Sequence, residues 1–188
     1  MHLLATAAPF SSTEARLKGR ARGAFVCALF GTAWMFWSIA FVTTGRIASF
    51  SSVTAIAILL VGWAAVRLRV ARRHKDSIAD RERWASIAPL FWANTGTEWL
   101  LSAGAVAALA HYRLYSLIPQ FLGVIIGLHF VVLAKVLGEP KYYFMGMVMI
   151  LWVLASLLIP EGGVRNMIAC AGIGLPLWTT AVVILSEP

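Results

Sequence analysis

Six long apolar runs divide this chain, with short polar connections between them, over about residues 23–44, 51–70, 84–110, 116–137, 142–159 and 164–185. A hydrocarbon core about 30 Å thick is crossed by about 20 apolar residues, because a helix rises about 1.5 Å per residue. Lipid offers no hydrogen bonds to the backbone, so each run has to satisfy its own amides as a helix. The expectation is an all-α polytopic membrane protein with six transmembrane helices. Composition agrees: 60% of residues are hydrophobic and only 13% charged, against about 45–50% and about 25% in soluble domains.

The cations set the orientation. Arg16, Lys18, Arg20 and Arg22 precede the first run, and the segment 67–83 holds Arg67, Arg69, Arg72, Arg73, Lys75, Arg81 and Arg83. Lys135 and Lys141 flank the fourth connection, which leaves Arg46, Arg113 and Arg165 for the opposite side. Lys and Arg accumulate on cytoplasmic loops, so both termini are expected in the cytoplasm. Residues 1–22 then form a cytoplasmic N-terminal segment and 23–188 a single six-helix domain. Ser11-x-x-Glu14 has capping-box spacing for the first helix. Residues 71–83 read as a surface helix or an extended loop. The net charge of +8 belongs to this topology rather than to nucleic-acid binding. The lipid bilayer is the expected partner, with anionic headgroups as a further one along 67–83. Residues 1–10 lack a charged n-region, so no cleavable signal peptide is expected. Cys27 and Cys170 sit in runs that place them toward opposite faces, which argues against a disulfide.

One carboxylate lies inside a run. The stretch Phe91-Trp92-Ala93-Asn94-Thr95-Gly96-Thr97-Glu98-Trp99 puts Glu98 near mid-membrane. An ionisable group there costs about 2.5–3.5 kcal/mol on insertion scales, and such groups usually face a bundle interior and a partner. His129 is the matching group. Glu98 lies 14 residues before Tyr112 and His129 14 after Tyr115, so an antiparallel hairpin puts both about 21 Å from its turn. Asn94 and Ser102 stand four residues either side of Glu98 on the same face. Trp34, Trp37, Trp92, Trp99 and Trp152 lie away from the run ends; large aromatics at that depth fill volume or, as Trp92 and Trp99 beside the carboxylate, wall a pocket for an organic cation with their indole faces. The substrate- or ion-binding set is thus Glu98, His129, Asn94, Ser102, Trp99 and Trp92; a hydrogen-bonded pair fastening two helices would use the same residues.

Other features carry packing. Gly123-x-x-x-Gly127 is a close-approach signature, serving either the bundle or a contact between two copies of the chain. Met145, Met147 and Met149 read as adaptable filling. Gly172-x-Gly174-x-Pro176 weakens the sixth run, as a proline kink or a discontinuous helix. Pro89 gives the third a reason to kink. Phosphate loops, metalloprotease motifs, nucleophile elbows and paired cysteine ligands are missing, and His2, His74, His111 and His129 are scattered. No catalytic residue, metal site or cofactor is expected.

The pattern Gly127-Leu128-His129-Phe130, Lys135, Pro140, Tyr142-Tyr143 and Gly146 resembles a family of small six-helix bacterial membrane proteins that has no assigned activity. Over about twenty residues, the resemblance implies a multi-pass protein of the bacterial inner membrane and nothing catalytic. Three functional readings stand at this point. The first is a small transporter or channel for a small solute or cation. The second is an intramembrane enzyme acting on a lipid or apolar substrate, with Glu98 and His129 as acid and base; no cation near Glu98 would hold a phosphorylated headgroup. The third is a non-catalytic accessory or scaffold subunit.

Overall fold

The structure, a computed structural model, describes residues 13–42, 44–73 and 78–186. Among these it is all-α: α1 (Thr13–Ala40), α2 (Arg46–Arg72), α3 (Ile78–His111), α4 (Ile118–Leu137), α5 (Lys141–Ser156) and α6 (Gly163–Ser186), with a 3-10 turn at Tyr115–Leu117 before α4. Four helical stretches are long and apolar enough to cross a membrane: Gly19–Ala40, Arg46–Arg72, Tyr115–Leu137 and Gly163–Ser186. The 16 residues of α5 rise only about 24 Å. The 34 residues of α3 rise about 51 Å, but polar Asn94, Thr95, Thr97 and Glu98 interrupt them.

The helices exceed their apolar runs. α1 begins ten residues before the first run, and α2 and α3 absorb most of the segment expected as a separate surface element. Ser11, His2, His74 and Lys75 lie outside the described residues. Helix continues through Pro89 in α3 and through Gly172, Gly174 and Pro176 in α6, so α6 is one helix rather than two halves.

α6 is the centre. It packs against α1, α5, α4 and α2, and the α1–α6 pairing is the most extensive of the bundle. Small residues allow that approach: a methyl group at Gly31 would lie 3.1 Å from the Gly174 carbonyl oxygen and 2.7 Å from the Trp178 ring. Ser38 donates to the Met167 carbonyl at 2.9 Å, and Trp178 donates to Thr32 Oγ1 at 3.2 Å. The second close crossing joins α4 to α5, where Gly127 meets the Gly146 carbonyl and Gly123 meets Val153 and Ile173. The glycine pair read from the sequence is therefore covered from within the chain. Both cysteines are free and buried.

The ends sort into two sets. At one, Gly23 of α1 lies against the Tyr142 hydroxyl of α5, and Arg67 of α2 donates to the Leu185 carbonyl of α6 at 2.8 Å. At the other, Gly163 of α6 lies against Phe41, just past the end of α1, and the α3–α4 turn meets the start of α6 through Ser116, Glu161 and Arg165. Successive helices therefore alternate in direction. The α3–α4 turn closes with Leu114 N–H on the Leu109 carbonyl at 2.7 Å, and Arg113 takes the left-handed conformation, φ 59°, that such helix ends usually give to glycine. Gly138 fills the same role after α4, at φ 69°.

Candidate functional site

α3 packs chiefly on α4 and the short turn before it. Among its less exposed residues are Ile87, Phe91, Asn94, Thr95, Glu98, Ser102, Ala105 and Leu109. They recur at spacings of three and four, the seam of a helix lying along one neighbour. The seam is apolar at both ends and polar in the middle, where α4 presents His129.

The structure brings Asn94, Glu98 and His129 together. Asn94 Nδ2 lies 3.0 Å from His129 Nδ1 and donates to the His129 carbonyl at 3.2 Å. Glu98 Oε2 stands 4.0 Å from the same Nδ1. The side chains are largely covered, His129 at 11% exposure and Glu98 at 20%. An amide nitrogen can only donate, so the backbone carbonyl fixes which way the Asn94 amide points. Nδ1 then accepts from Asn94, and the imidazole of this arrangement is neutral with its proton on Nε2. Glu98 is beyond hydrogen-bond reach of the ring at 4.0 Å. The edge of His129 meets Phe130, with ring centroids 5.3 Å apart, and Phe130 stacks on Tyr142 of α5 at 5.9 Å; this ties the site to the bundle.

Ser102 lies one turn from Glu98 on the same seam. Its hydroxyl oxygen is buried and has no hydrogen-bond partner among the described residues, and that of Thr95 is alike. Thr95 was missed in the sequence, although its position three residues before Glu98 was the signal that would have found it. Trp92 and Trp99 do not line the site. They sit about 100–120° around the helix from Glu98 at 3.6 residues per turn, and they are 62% and 58% exposed. The expected aromatic wall is absent there because helical spacing turns both indoles outward. Trp152 instead covers Gly172 and donates to the Ile168 carbonyl at 3.1 Å.

A second polar group sits at the other end of α4. Arg165, only 8% exposed, has its Nη2 3.7 Å from Glu161 Oε1 and 3.5 Å from the Ser116 carbonyl. Ser116 donates to Glu161, and buried Gln120 reaches Asn166 at 3.4 Å. The sequence reading took Arg165 only as a charge of the outer connection. Apolar neighbours at Val164, Met167 and Ile168 were the signal that it begins a buried helix. Among the described residues no group of three or more His, Cys, Asp and Glu could hold a metal ion.

The fold and the apolar helices define an all-α membrane protein. Comparison with protein-family models, with curated proteins and with solved structures finds no match to this chain.

Proposed function

We propose that this chain is a small multi-pass transporter or channel for a small solute or cation, with its polar site between α3 and α4. The observation that carries the reading is the meeting of Glu98, His129 and Asn94 within 4.0 Å, midway along the seam where α3 packs on α4. Such groups are expensive in lipid and mark ion or proton pathways by default. A pair that only fastened two helices would be expected to bond directly; here Glu98 stays out of bonding reach of the ring and two neighbouring hydroxyls have no partner.

Six crossings, with both termini in the cytoplasm of a bacterial inner-membrane protein, complete the proposal. The alternation of helix directions supports it. The short α5 crosses where the bilayer thins or the polar flanks snorkel, and mismatch of this size costs fractions of a kcal/mol per Å. Arg69, Arg72, Arg73 and Arg81 are exposed at the cytoplasmic ends of α2 and α3 and face anionic lipid headgroups.

The test is flux in proteoliposomes. Purified protein is expected to pass protons or small monovalent cations down an imposed gradient, and Glu98→Gln to abolish the passage. Unchanged flux in that variant would remove Glu98 from the pathway and the proposal with it.

A further inference from the structure

We infer that the species carried past Glu98 is the proton, and that Asn94 controls its passage by holding His129 Nδ1. This rests on the transport reading above and names its substrate.

The donor set fits a proton and not a dehydrated divalent metal cation. Calcium takes 6–8 oxygens at about 2.3–2.6 Å, and magnesium also demands a complete oxygen shell. The seam offers one carboxylate. Thr95 and Ser102 are seven residues apart, about 10.5 Å along α3, so their hydroxyls cannot close on one ion with Glu98. Asn94 turns an N–H toward the site, and the lone pair of His129 Nδ1 is already occupied. A proton needs only one acceptor at a time and a succession of groups along a line. Glu98 and His129 are two such groups beside each other, and Thr95 and Ser102, three and four residues from Glu98 along α3, carry buried hydroxyl oxygens with no protein hydrogen bond.

The step balances on these residues. Protonated Glu98 gives its proton to His129 Nδ1: the carboxyl O–H bond breaks, the N–H bond forms, and a carboxylate faces an imidazolium. The imidazolium then releases its Nε2 proton to water. The separation of 4.0 Å has to shorten by about 1 Å to reach hydrogen-bond length. Nδ1 is also unable to accept while Asn94 donates to it. Asn94 has two N–H bonds, one on Nδ1 and one on the His129 carbonyl. It can release the ring and keep the carbonyl; the ring then turns its Nδ1–H to the exit-side water and gives up that proton there while Nε2 takes one up, Glu98 regains a proton from entry-side water, and Asn94 returns to the bare Nδ1. Asn94 is therefore a positioning residue that sets the tautomer.

The experiment uses the full chain in sodium-free liposomes containing a pH-sensitive dye, with a membrane potential imposed by potassium and valinomycin. Proton uptake is expected in the wild type, and uptake at the rate of empty liposomes in Glu98→Gln. In separate liposomes without valinomycin, which itself carries rubidium, passage of tracer sodium or rubidium down its own gradient with no proton uptake in the first set would overturn the inference while leaving transport in place; passage of none of these ions would overturn both. A second measurement reads the tautomer directly. In the folded wild type, the nitrogen-15 signal of His129 is expected to show an unprotonated Nδ1. Asn94→Asp replaces the donor with an acceptor and is expected to move the proton to Nδ1; Asn94→Ala releases Nδ1 without that bias. A protonated Nδ1 in the wild type, or a tautomer indifferent to both substitutions, would refute the role of Asn94.

Discussion

Substituting Gly127 with alanine tests the close crossing of α4 and α5. The added methyl would lie 2.6 Å from Ile150 Cγ1 and 2.8 Å from the Gly146 carbonyl oxygen, where non-bonded heavy atoms settle at about 3.5–4.0 Å. The isoleucine can turn aside. The carbonyl cannot, because the α5 backbone fixes it, so the two helices must part by several tenths of an ångström. Overpacking of this kind costs about 1–3 kcal/mol, and the better helix propensity of alanine returns up to about 1 kcal/mol. The expected net loss is about 0–2 kcal/mol, and relative to alanine in an open helical position about 1–3 kcal/mol. Gly96 and Gly104 of α3 supply the control, since a methyl at either meets nothing within 4 Å; alanine there is expected to be neutral or slightly stabilising. All three variants would be unfolded in detergent by denaturant titration, followed by tryptophan fluorescence. Gly127→Ala and Gly146→Ala together should cost less than the sum of the two, because helices already parted admit the second methyl. A Gly127→Ala protein as stable as Gly96→Ala would refute the account of the crossing.

Other outcomes follow from single contacts. Ser38→Ala removes the bond to the Met167 carbonyl and is expected to cost about 0.6 kcal/mol, and no more than about 1.7, in the same titration. Arg113→Gly relieves a left-handed arginine and should stabilise by up to about 1 kcal/mol, whereas Gly138→Ala should destabilise by a similar amount; opposite shifts in unfolding midpoint would show both. Removing the carboxylate with Glu161→Gln should harm the fold more than Arg165→Met, because the first leaves a buried guanidinium without its counter-ion and the second leaves a well-exposed carboxylate to water. A maleimide is expected to label Cys27 and Cys170 only after unfolding, since they are 3% and 0% exposed.

The depth of the Glu98–His129 pair was legible in the sequence because it needs only residue counting from a tight turn and a fixed helical rise. Which face each side chain takes was legible only in part. The spacing from Glu98 already turns Trp92 and Trp99 aside, but the pull of a cation toward indoles made a wall of them. The glycine pair of α4 showed close packing without showing its partner, since the same small surface suits α5 or a second copy. Pairing across the bundle escaped the sequence altogether. Nothing in the hydropathy of the sixth run marks it as the helix that α1, α2, α4 and α5 share, nor the third as the one at the edge.

The strongest pairing joins the first helix to the sixth, and this shapes how the protein is made. During synthesis α1 enters the bilayer long before its companion exists. Until α6 emerges, the groove around Gly31 has to be shielded by lipid or by the insertion machinery. A nascent chain halted before α6 would present that groove bare. Completion of the bundle is thus a single late event, timed by the arrival of one helix.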